Sequence, residues 1–185
     1  MMASRPAFET ALARLGILKT LEAFDPHVAG TLPLGIDIPG SDIDILCHAP
    51  APDRFASLLW RTYAGFTDFS LRQWRGNGRP IITTFEAEGW PFEIFGSPQP
   101  VAEQLGWRHF KVERRLLAQG NSAFRDKVMA LRHVGAKTEP AFAQVLGLEG
   151  DPYQALLDLE ILDDAGLRKR LAAAGYLGGA SLRAH

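Results

Sequence analysis

Two aspartates, Asp42 and Asp44, occupy alternate positions in the run Ser-Asp-Ile-Asp-Ile-Leu that begins at Ser41. Because successive side chains of a β-strand point to opposite faces, the two carboxylates share one face, while Ile43 and Ile45 share the other. Two carboxylates on a half-buried strand repel each other and lose hydration unless a cation lies between them. A few hard oxygen ligands suit Mg²⁺, which completes its coordination with water and substrate phosphates. The pattern therefore predicts a magnesium–nucleotide site at the start of a strand.

Nucleotidyl or phosphoryl transfer with two metal ions also needs a third carboxylate and backbone donors for the phosphates. Glu93 is the best candidate for the third acid, because it is an isolated carboxylate in the apolar run Pro-Phe-Glu-Ile-Phe. Glu86 and Glu88 are weaker candidates, since they lie beside a predicted turn where solvated acids are expected. Gly30 offers an N–H without a β-carbon barrier, and Thr31 adds a second N–H and a hydroxyl. The alternative for Glu93 is a strand carboxylate in a structural salt bridge.

A basic stripe follows in the run Trp-Arg-His-Phe-Lys that begins at residue 107. Arg108, Lys111 and Arg115 fall at i, i+3 and i+7, which places them on one side of a helix. If this side faces the cleft, the stripe would bind a triphosphate or an anionic acceptor. His109 would then serve as a base or a phosphate donor. The alternatives are a solvated helix face and a histidine that bonds Glu113 four residues on.

An arginine cluster and a tryptophan are two further candidates for a functional role. Arg72, Arg75 and Arg79 cluster around the Gly-Asn-Gly turn at 76–78, and we interpret them as a solvated hairpin tip. Trp107 is a candidate for stacking a base, although a place in the core or at its rim is the simpler interpretation.

Hydrophobic periodicity and turn residues predict the elements that must position these groups. The predicted strands are about 27–34, 42–48, 67–74, 79–86 and 91–96. The predicted helices are about 7–24, 53–64, 101–119, 122–135, 138–147, 151–161 and 164–174. The layout is α+β, with a mixed β-sheet flanked by helices at 1–100 and a C-terminal helical region at 101–175. Residues 176–185, rich in glycine and small residues, are expected to form a flexible tail.

Composition limits the class of protein. The chain has 185 residues, with 46% hydrophobic and 22% charged residues, as is ordinary for a globular protein. Its net charge of −1 argues against a protein that coats nucleic acid, so a nucleic-acid partner is not expected. The single cysteine, Cys47, excludes an internal disulfide. No apolar run is long enough to span a membrane, and the amino terminus lacks a signal-peptide core. The expected compartment is the cytoplasm.

The pair Gly30-Thr31, ten intervening residues and the run from Asp42 to Ile45 together resemble the signature of the nucleotidyltransferase superfamily. This superfamily includes DNA polymerase β and the aminoglycoside and minimal nucleotidyltransferases, and the whole chain is most similar to a small bacterial family of predicted nucleotidyltransferases. The resemblance implies Mg²⁺ held by Asp42, Asp44 and a third acid matched by Glu93. It also implies triphosphate contacts from Gly30 and Thr31. Ser41 completes the common Ser-Asp-Ile-Asp form.

We therefore expect an enzyme that transfers a nucleoside monophosphate from an NTP, with ATP the expected donor, to a hydroxyl of a small molecule or protein. A pair of Mg²⁺ ions would act as cofactor. One alternative is an inactive module of the same fold that binds a nucleotide or a partner protein. A less favoured alternative is a metal-dependent phosphohydrolase. The sequence identifies neither the acceptor nor the oligomeric state.

Overall fold

A computed structural model describes residues 5–75 and 78–177. The chain divides into two compact units, Met1–Trp107 and Arg108–His185. The boundary falls near the start of a helix, Leu105–Gln119, that follows the last strand. Residues 178–185 of the expected tail, and residues 76 and 77 of the expected turn, lie outside the described residues. No helix in the described part of the chain has the length and apolar character needed to cross a membrane.

The first unit contains a mixed sheet and the helices that cover it. Its strands are β1 (His27–Ala29), β2 (Ile43–His48), β3 (Thr67–Gln73), β4 (Ile81–Ala87) and β5 (Trp90–Ser97). Its helices are α1 (Phe8–Leu15), α2 (Ile17–Thr20), α3 (Thr31–Leu34) and α4 (Pro52–Tyr63), with short 3-10 helices at Glu22–Phe24 and Val101–Glu103. The order across the sheet is β1-β2-β5-β4-β3.

Only the central pair, β2 and β5, is parallel, and the other neighbours are antiparallel. A parallel pair needs a long crossover, which here runs through α4 and the antiparallel strands β3 and β4. The predicted class, a mixed β-sheet flanked by helices, is therefore confirmed.

One face of this sheet forms the core of the first unit. Ile43, Ile45, Phe92 and Ile94 alternate along the central strands and are fully buried. The same core contains buried side chains from the helices, namely Ala11, Leu12, Ile17, Phe55, Leu59 and Tyr63. The opposite face therefore receives the intervening residues of β2 and β5, including Asp44 and Glu93.

Two local predictions were wrong, and backbone conformation explains both. The helix expected at 7–24 is interrupted at Gly16, whose left-handed conformation (φ 58°) ends α1. The strand expected at 27–34 covers only His27–Ala29. Gly30, with φ 76° and ψ −162°, turns the chain out of the strand and into the short helix α3. The pattern of apolar residues in this segment therefore packs a helical turn and not a longer strand.

The second unit is helical throughout the described residues. It continues the helix Leu105–Gln119, here called α5, and adds α6 (Ser122–His133), α7 (Thr138–Val145), α8 (Pro152–Leu157), a 3-10 helix (Asp158–Ile161) and α9 (Asp164–Ala173). Asn121, Asp151 and Asp163 each accept a hydrogen bond from a backbone N–H of the first turn and so cap α6, α8 and α9. The core of the unit consists of buried side chains including Leu116, Phe124, Phe142, Leu167 and Leu171.

Candidate active site

A polar row crosses the face of the sheet that the core does not use. The parallel register of β2 and β5 pairs Asp44 with Glu93. Glu93 pairs in turn with Thr84 of β4, and Thr84 pairs with Ser70 of β3. We call Asp44, Glu93, Thr84 and Ser70 the polar row. Because neighbouring strands lie about 4.8 Å apart, the two carboxylates occupy adjacent positions on one face.

Asp42 contributes a third carboxylate next to this row. It immediately precedes β2 and is partly exposed, and its charge acts on Glu93. Burial raises the pKa of Glu93, the negative charge of Asp42 raises it further, and the positive charge of Arg72 lowers it. Glu93 therefore lies next to Asp44 in the strand register and within the electrostatic influence of Asp42.

Gly30 lies directly against one of these acids. A β-carbon added to Gly30 would overlap Asp44 Oδ2, and the positive φ of Gly30 is also unfavourable for any other residue. The absence of a side chain at position 30 therefore lets the backbone after β1 approach the Asp44 carboxylate. This close approach would allow the Gly30 N–H to reach a group bound to Asp44.

Thr31 and Ser41 shape the loop between β1 and β2. Thr31 Oγ1 lies 3.3 Å from Ser41 Oγ, which also accepts a hydrogen bond of 3.0 Å from the Ile38 N–H. Ser41 is buried, whereas Thr31 is partly exposed and begins helix α3, so its N–H has no partner within the helix. Ser41 therefore fixes the loop conformation, and Thr31 remains the residue of this pair that is available to a ligand.

The carboxylates of this face match the ligands that Mg²⁺ prefers, although they do not form a complete protein cage. Within residues 5–75 and 78–177, no three or more His, Cys, Asp or Glu side chains are gathered as a metal-binding cluster. Mg²⁺, however, uses one or two protein carboxylates together with water and substrate phosphates. The adjacent carboxylates of Asp44 and Glu93, with the charge of Asp42 beside them, fit that requirement in ligand type and in charge.

The basic stripe lies in the second unit, where its cations pair with acids. Arg108 Nε and Nη2 each lie 2.7 Å from Glu160 Oε2, and Lys111 Nζ lies 3.3 Å from Glu160 Oε1. The hydrogen bond from Arg108 is the largest contribution that lowers the pKa of Glu160. Arg115 Nη2 donates to Leu162 O at 2.6 Å and to Asp164 Oδ1 at 3.0 Å. A phosphate bound here would have to displace these partners.

His109 is a buried residue of the same helix, with partners that the sequence did not indicate. Its Nε2 lies 3.0 Å from Tyr153 O, and its Nδ1 lies 3.8 Å from Glu139 Oε1. Since a carbonyl only accepts, Nε2 carries the proton in this contact. The expected bond to Glu113 is absent among the described residues, so the histidine joins α5 to α7 and α8.

Two residues near the predicted acids, Ser70 and Thr84, were not anticipated from sequence, and Arg72 was interpreted there as part of a solvated hairpin tip. Ser70 and Thr84 belong to the polar row, with their hydroxyl oxygens 3.0 Å apart, and Arg72 lies on the same face of β3. The alternation of polar residues in β3 and β4 is the sequence signal for them, but their register with Glu93 depends on strand pairing. Trp107, the candidate for stacking a base, has its ring centroid 4.8 Å from that of His27.

Comparison with solved structures identifies the class of fold. The chain is similar to the Cid1 poly(U) polymerase with MgGTP bound, with 13% identity, a TM-score of 0.53, and coverage of 81% of this chain and 48% of that chain. A mutant of the same polymerase bound to MgATP gives 14% identity, a TM-score of 0.55, and coverage of 81% and 47%. A cytoplasmic RNA terminal U-transferase gives 12% identity, a TM-score of 0.51, and coverage of 80% and 43%.

These likenesses show a nucleotidyltransferase-like fold, and the chain spans less than half the length of each of these three structures. The sequence itself defines a more particular group. The chain belongs to the family described as "Domain of unknown function (DUF4269)", whose model matches residues 10–159. Among curated proteins, none matches the sequence. The more specific resemblance to a bacterial family of predicted nucleotidyltransferases stays a prediction.

Proposed function

We propose that this protein transfers a nucleoside monophosphate from an NTP to a hydroxyl of an acceptor, in a reaction that depends on Mg²⁺. The observation that carries the proposal is the pairing of Asp44 with Glu93 across parallel strands, with the Gly30 backbone directly against Asp44. The solved structures described as bound to MgGTP and MgATP, which share the fold, support an NTP as the donor. ATP is the donor that we would test first.

Asp42, Asp44 and Glu93 would hold the metal. When bound, Mg²⁺ would neutralise the triphosphate and lower the pKa of the acceptor hydroxyl. The negative charge of Asp42, which raises the pKa of Glu93 against the opposing effect of Arg72, supports this assignment. A divalent cation would relieve the remaining repulsion.

Other groups of this chain would bind the triphosphate and accept the proton of the acceptor. The N–H groups of Gly30 and Thr31 would donate to phosphate oxygens and orient the triphosphate. The acceptor oxygen would form a bond to the α-phosphorus, the bond from that phosphorus to the bridging oxygen would break, and pyrophosphate would leave. The proton of the acceptor hydroxyl would pass to a carboxylate oxygen of Glu93, the acid that is paired with Asp44 across the parallel strands.

The cations of the basic stripe already have acidic partners, which limits their part in the reaction. Arg108, Lys111 and Arg115 would contact the triphosphate only by exchanging Glu160 and Asp164 for phosphate oxygens. His109 would act only if its contact with the Tyr153 carbonyl opened. These four assignments therefore have weaker support than those for Asp42, Asp44 and Glu93.

Release of pyrophosphate from Mg·ATP tests the proposal. The purified protein would be assayed with a panel of hydroxyl acceptors, small molecules and proteins, with ³²P in the α-phosphate to detect the transferred nucleotide. We expect acceptor-dependent pyrophosphate release that the double variant Asp42→Asn/Asp44→Asn abolishes. Glu86→Gln is a matched control, because Glu86 is an exposed carboxylate of the neighbouring strand β4. Unchanged transfer by the double variant would refute the proposal.

Two other outcomes correspond to the alternatives. Binding of Mg·ATP without pyrophosphate release under the whole panel would favour an inactive module of the same fold. Release of inorganic phosphate without any acceptor would favour a phosphohydrolase. Calorimetry with Mg·ATP and separate assays for phosphate and pyrophosphate distinguish the three activities.

A further inference from the structure

The half of the polar face beyond Glu93 carries groups that have no part in the proposed binding of the triphosphate. Gly30 and Thr31 lie on the β1 side of Asp44, whereas Thr84 and Ser70 extend the row on the far side of Glu93. The two hydroxyl oxygens, 3.0 Å apart, form a partly buried pair that can both donate and accept. A molecule with hydroxyl groups would find matching partners at this pair.

Arg72 comes two residues after Ser70 on β3 and therefore lies on the same face of the sheet. It pairs with Ile82, and Ile82 pairs with Phe95, which is next to Leu46 on β2. Next to the polar row, Ile82, Phe95 and Leu46 form an apolar strip, which we call the apolar floor. Ile82 and Leu46 are nearly buried, and Phe95 is partly buried. The Arg72 side chain stands at the exposed end of that floor, on the edge strand β3.

The charge of Arg72 is not engaged by an acid in direct contact. Among residues 5–75 and 78–177, no carboxylate lies within ion-pair distance of Arg72, and its positive charge acts on Glu93. It is also the single arginine or lysine in the five strands of the sheet. An exposed arginine held beside an acidic site is suited to bind a carboxylate or a phosphate, which it can contact through two N–H groups.

We propose that the acceptor is a small hydroxyl-bearing molecule with an anionic group, a carboxylate or a phosphate, which Arg72 binds. The hydroxyl pair of Ser70 and Thr84 orients its other hydroxyls, and the reacting hydroxyl points toward Glu93. This assignment of the acceptor rests on the proposed nucleotidyl transfer. Arg72 has a second effect, since its charge offsets the repulsion between an anionic acceptor and the three carboxylates.

The face favours a small anion over a nucleic acid. Binding a chain of phosphates requires several cations, and affinity depends on how many are used. Arg72 is the cation that the strands supply, and Arg79, which follows β3, donates instead to Gln73 Oε1 at 2.9 Å. A single anionic group therefore matches the charge on this face.

Calorimetry with matched ligands tests the proposal on the whole chain. The protein, loaded with Mg²⁺ and a non-hydrolysable ATP analogue, would be titrated with glycerol, glycerate and glycerol 3-phosphate, and with ribose and ribose 5-phosphate. We expect at least one anion to bind about tenfold or more tightly than its neutral partner, and Arg72→Gln to remove that difference. Comparison of glycerate with glycerol 3-phosphate distinguishes a carboxylate from a phosphate.

Two further variants, Arg72→Lys and Arg61→Gln, serve as controls for Arg72→Gln. Arg72→Lys keeps the charge and should retain part of the preference for the anion, which loss of the fold would not permit. Arg61→Gln removes an exposed arginine of α4, the helix on the other side of the sheet, and should leave binding unchanged. Equal binding of neutral and anionic partners, or an unchanged preference in Arg72→Gln, would overturn the proposal. Arg72-dependent binding of a short oligoribonucleotide but of none of the small anions would overturn it in favour of a nucleic-acid acceptor.

The same titrations separate this inference from the function on which it rests. Binding of the ATP analogue with no effect of Arg72→Gln on the anions would leave nucleotide transfer standing and remove the acceptor assignment. Anion binding that depends on Arg72, with no binding of Mg·ATP, would leave an anion site and refute the proposed function.

Discussion

Two clusters of charged residues in this molecule differ in the signs of the charges that lie side by side. On the strand face of the first unit, Asp44 is next to Glu93 in the parallel register, and the charge of Asp42 raises the pKa of Glu93 while Arg72 lowers it. On helix α5 of the second unit, each cation of the basic stripe has an acid at 2.7–3.3 Å. The stripe therefore pairs opposite charges within its own unit, whereas on the strand face carboxylates are next to carboxylates. Adjacent charges of like sign, more than the presence of charged residues, therefore mark the functional candidate.

The largest effect should follow from changing Asp44. Asp44→Asn keeps the size of the side chain but removes the charge that would hold the metal, so we expect nucleotidyl transfer to fall by about 10²-fold or more. Pyrophosphate release at saturating Mg·ATP measures this loss, and circular dichroism verifies the fold. The control is Glu86→Gln, which alters an exposed acid on β4, two strands from β2 in the sheet, and should retain activity. Equal activity in the two variants would show that the adjacent carboxylates are not a catalytic feature.

The next largest effect is expected at Gly30. In Gly30→Ala, the new β-carbon overlaps Asp44 Oδ2 and the positive φ is strained, so the loop must shift away from the carboxylate. We expect transfer to fall by about tenfold or more and the free energy of unfolding to fall by about 1–3 kcal/mol. Both can be measured, by pyrophosphate release and by denaturant titration.

Gly40→Ala is the matched control for Gly30→Ala. Gly40 also has a positive φ, 92°, and lies in the same connection to β2, but a β-carbon there meets nothing within 4 Å. It should therefore show the backbone strain without the loss of activity. If both variants lost activity equally, the contact with Asp44 would not be the reason.

A third prediction concerns a buried acid of the second unit. Glu113 is almost fully buried, and burial followed by the charge of Glu139 raises its pKa to about 8, while Arg132 lowers it. The folded state therefore binds a proton that the unfolded state releases between pH 4.5 and about 8. The free energy of unfolding should fall as the pH rises through this window, and Glu113→Gln should flatten that dependence by keeping position 113 uncharged.

Denaturant titrations between pH 5 and 9 test this expectation. At pH 9, Glu113→Gln should be the more stable protein, by about 1 kcal/mol or more, because each unit of pKa shift corresponds to about 1.4 kcal/mol. Glu149→Gln, in an exposed position of the same unit, should keep the wild-type pH dependence. A wild-type protein whose stability is constant over this range would contradict the burial of a carboxyl group at position 113.

The smallest effect should come from the basic stripe. Arg115→Gln removes an ion pair whose partner Asp164 is largely exposed, so we expect the free energy of unfolding to change by less than about 1 kcal/mol. Transfer should change by less than about threefold, because the arginine is occupied by Leu162 O and Asp164. Arg168→Gln, an exposed residue of α9, is the control. A tenfold rise in the KM for Mg·ATP would instead show that the stripe exchanges its acids for phosphate.

Local sequence patterns anticipated much of the first unit. The alternation around Asp44 correctly predicted that Ile43 and Ile45 are buried on the face opposite Asp44, because side-chain direction in a strand depends only on position. It did not predict the burial of Leu46, which lies on the same face as Asp44. The same reasoning failed at 27–34 and at 7–24. In both places a glycine with positive φ, Gly30 and Gly16, redirected the chain in a way that hydrophobic periodicity does not encode.

The sequence by itself determined the spacing of Gly30, Asp42 and Asp44, the isolation of Glu93 in an apolar run, and the mixed α+β class. Tertiary structure decided which of these meet. The register of β2 with β5 sets Glu93 beside Asp44, and the pairing of β4 and β3 extends the row to Ser70. It also decided that His109 contacts Tyr153 and that Arg108 contacts Glu160. Direction and periodicity are local properties of the backbone, whereas strand register and ion-pair partners depend on contacts between segments distant in the chain.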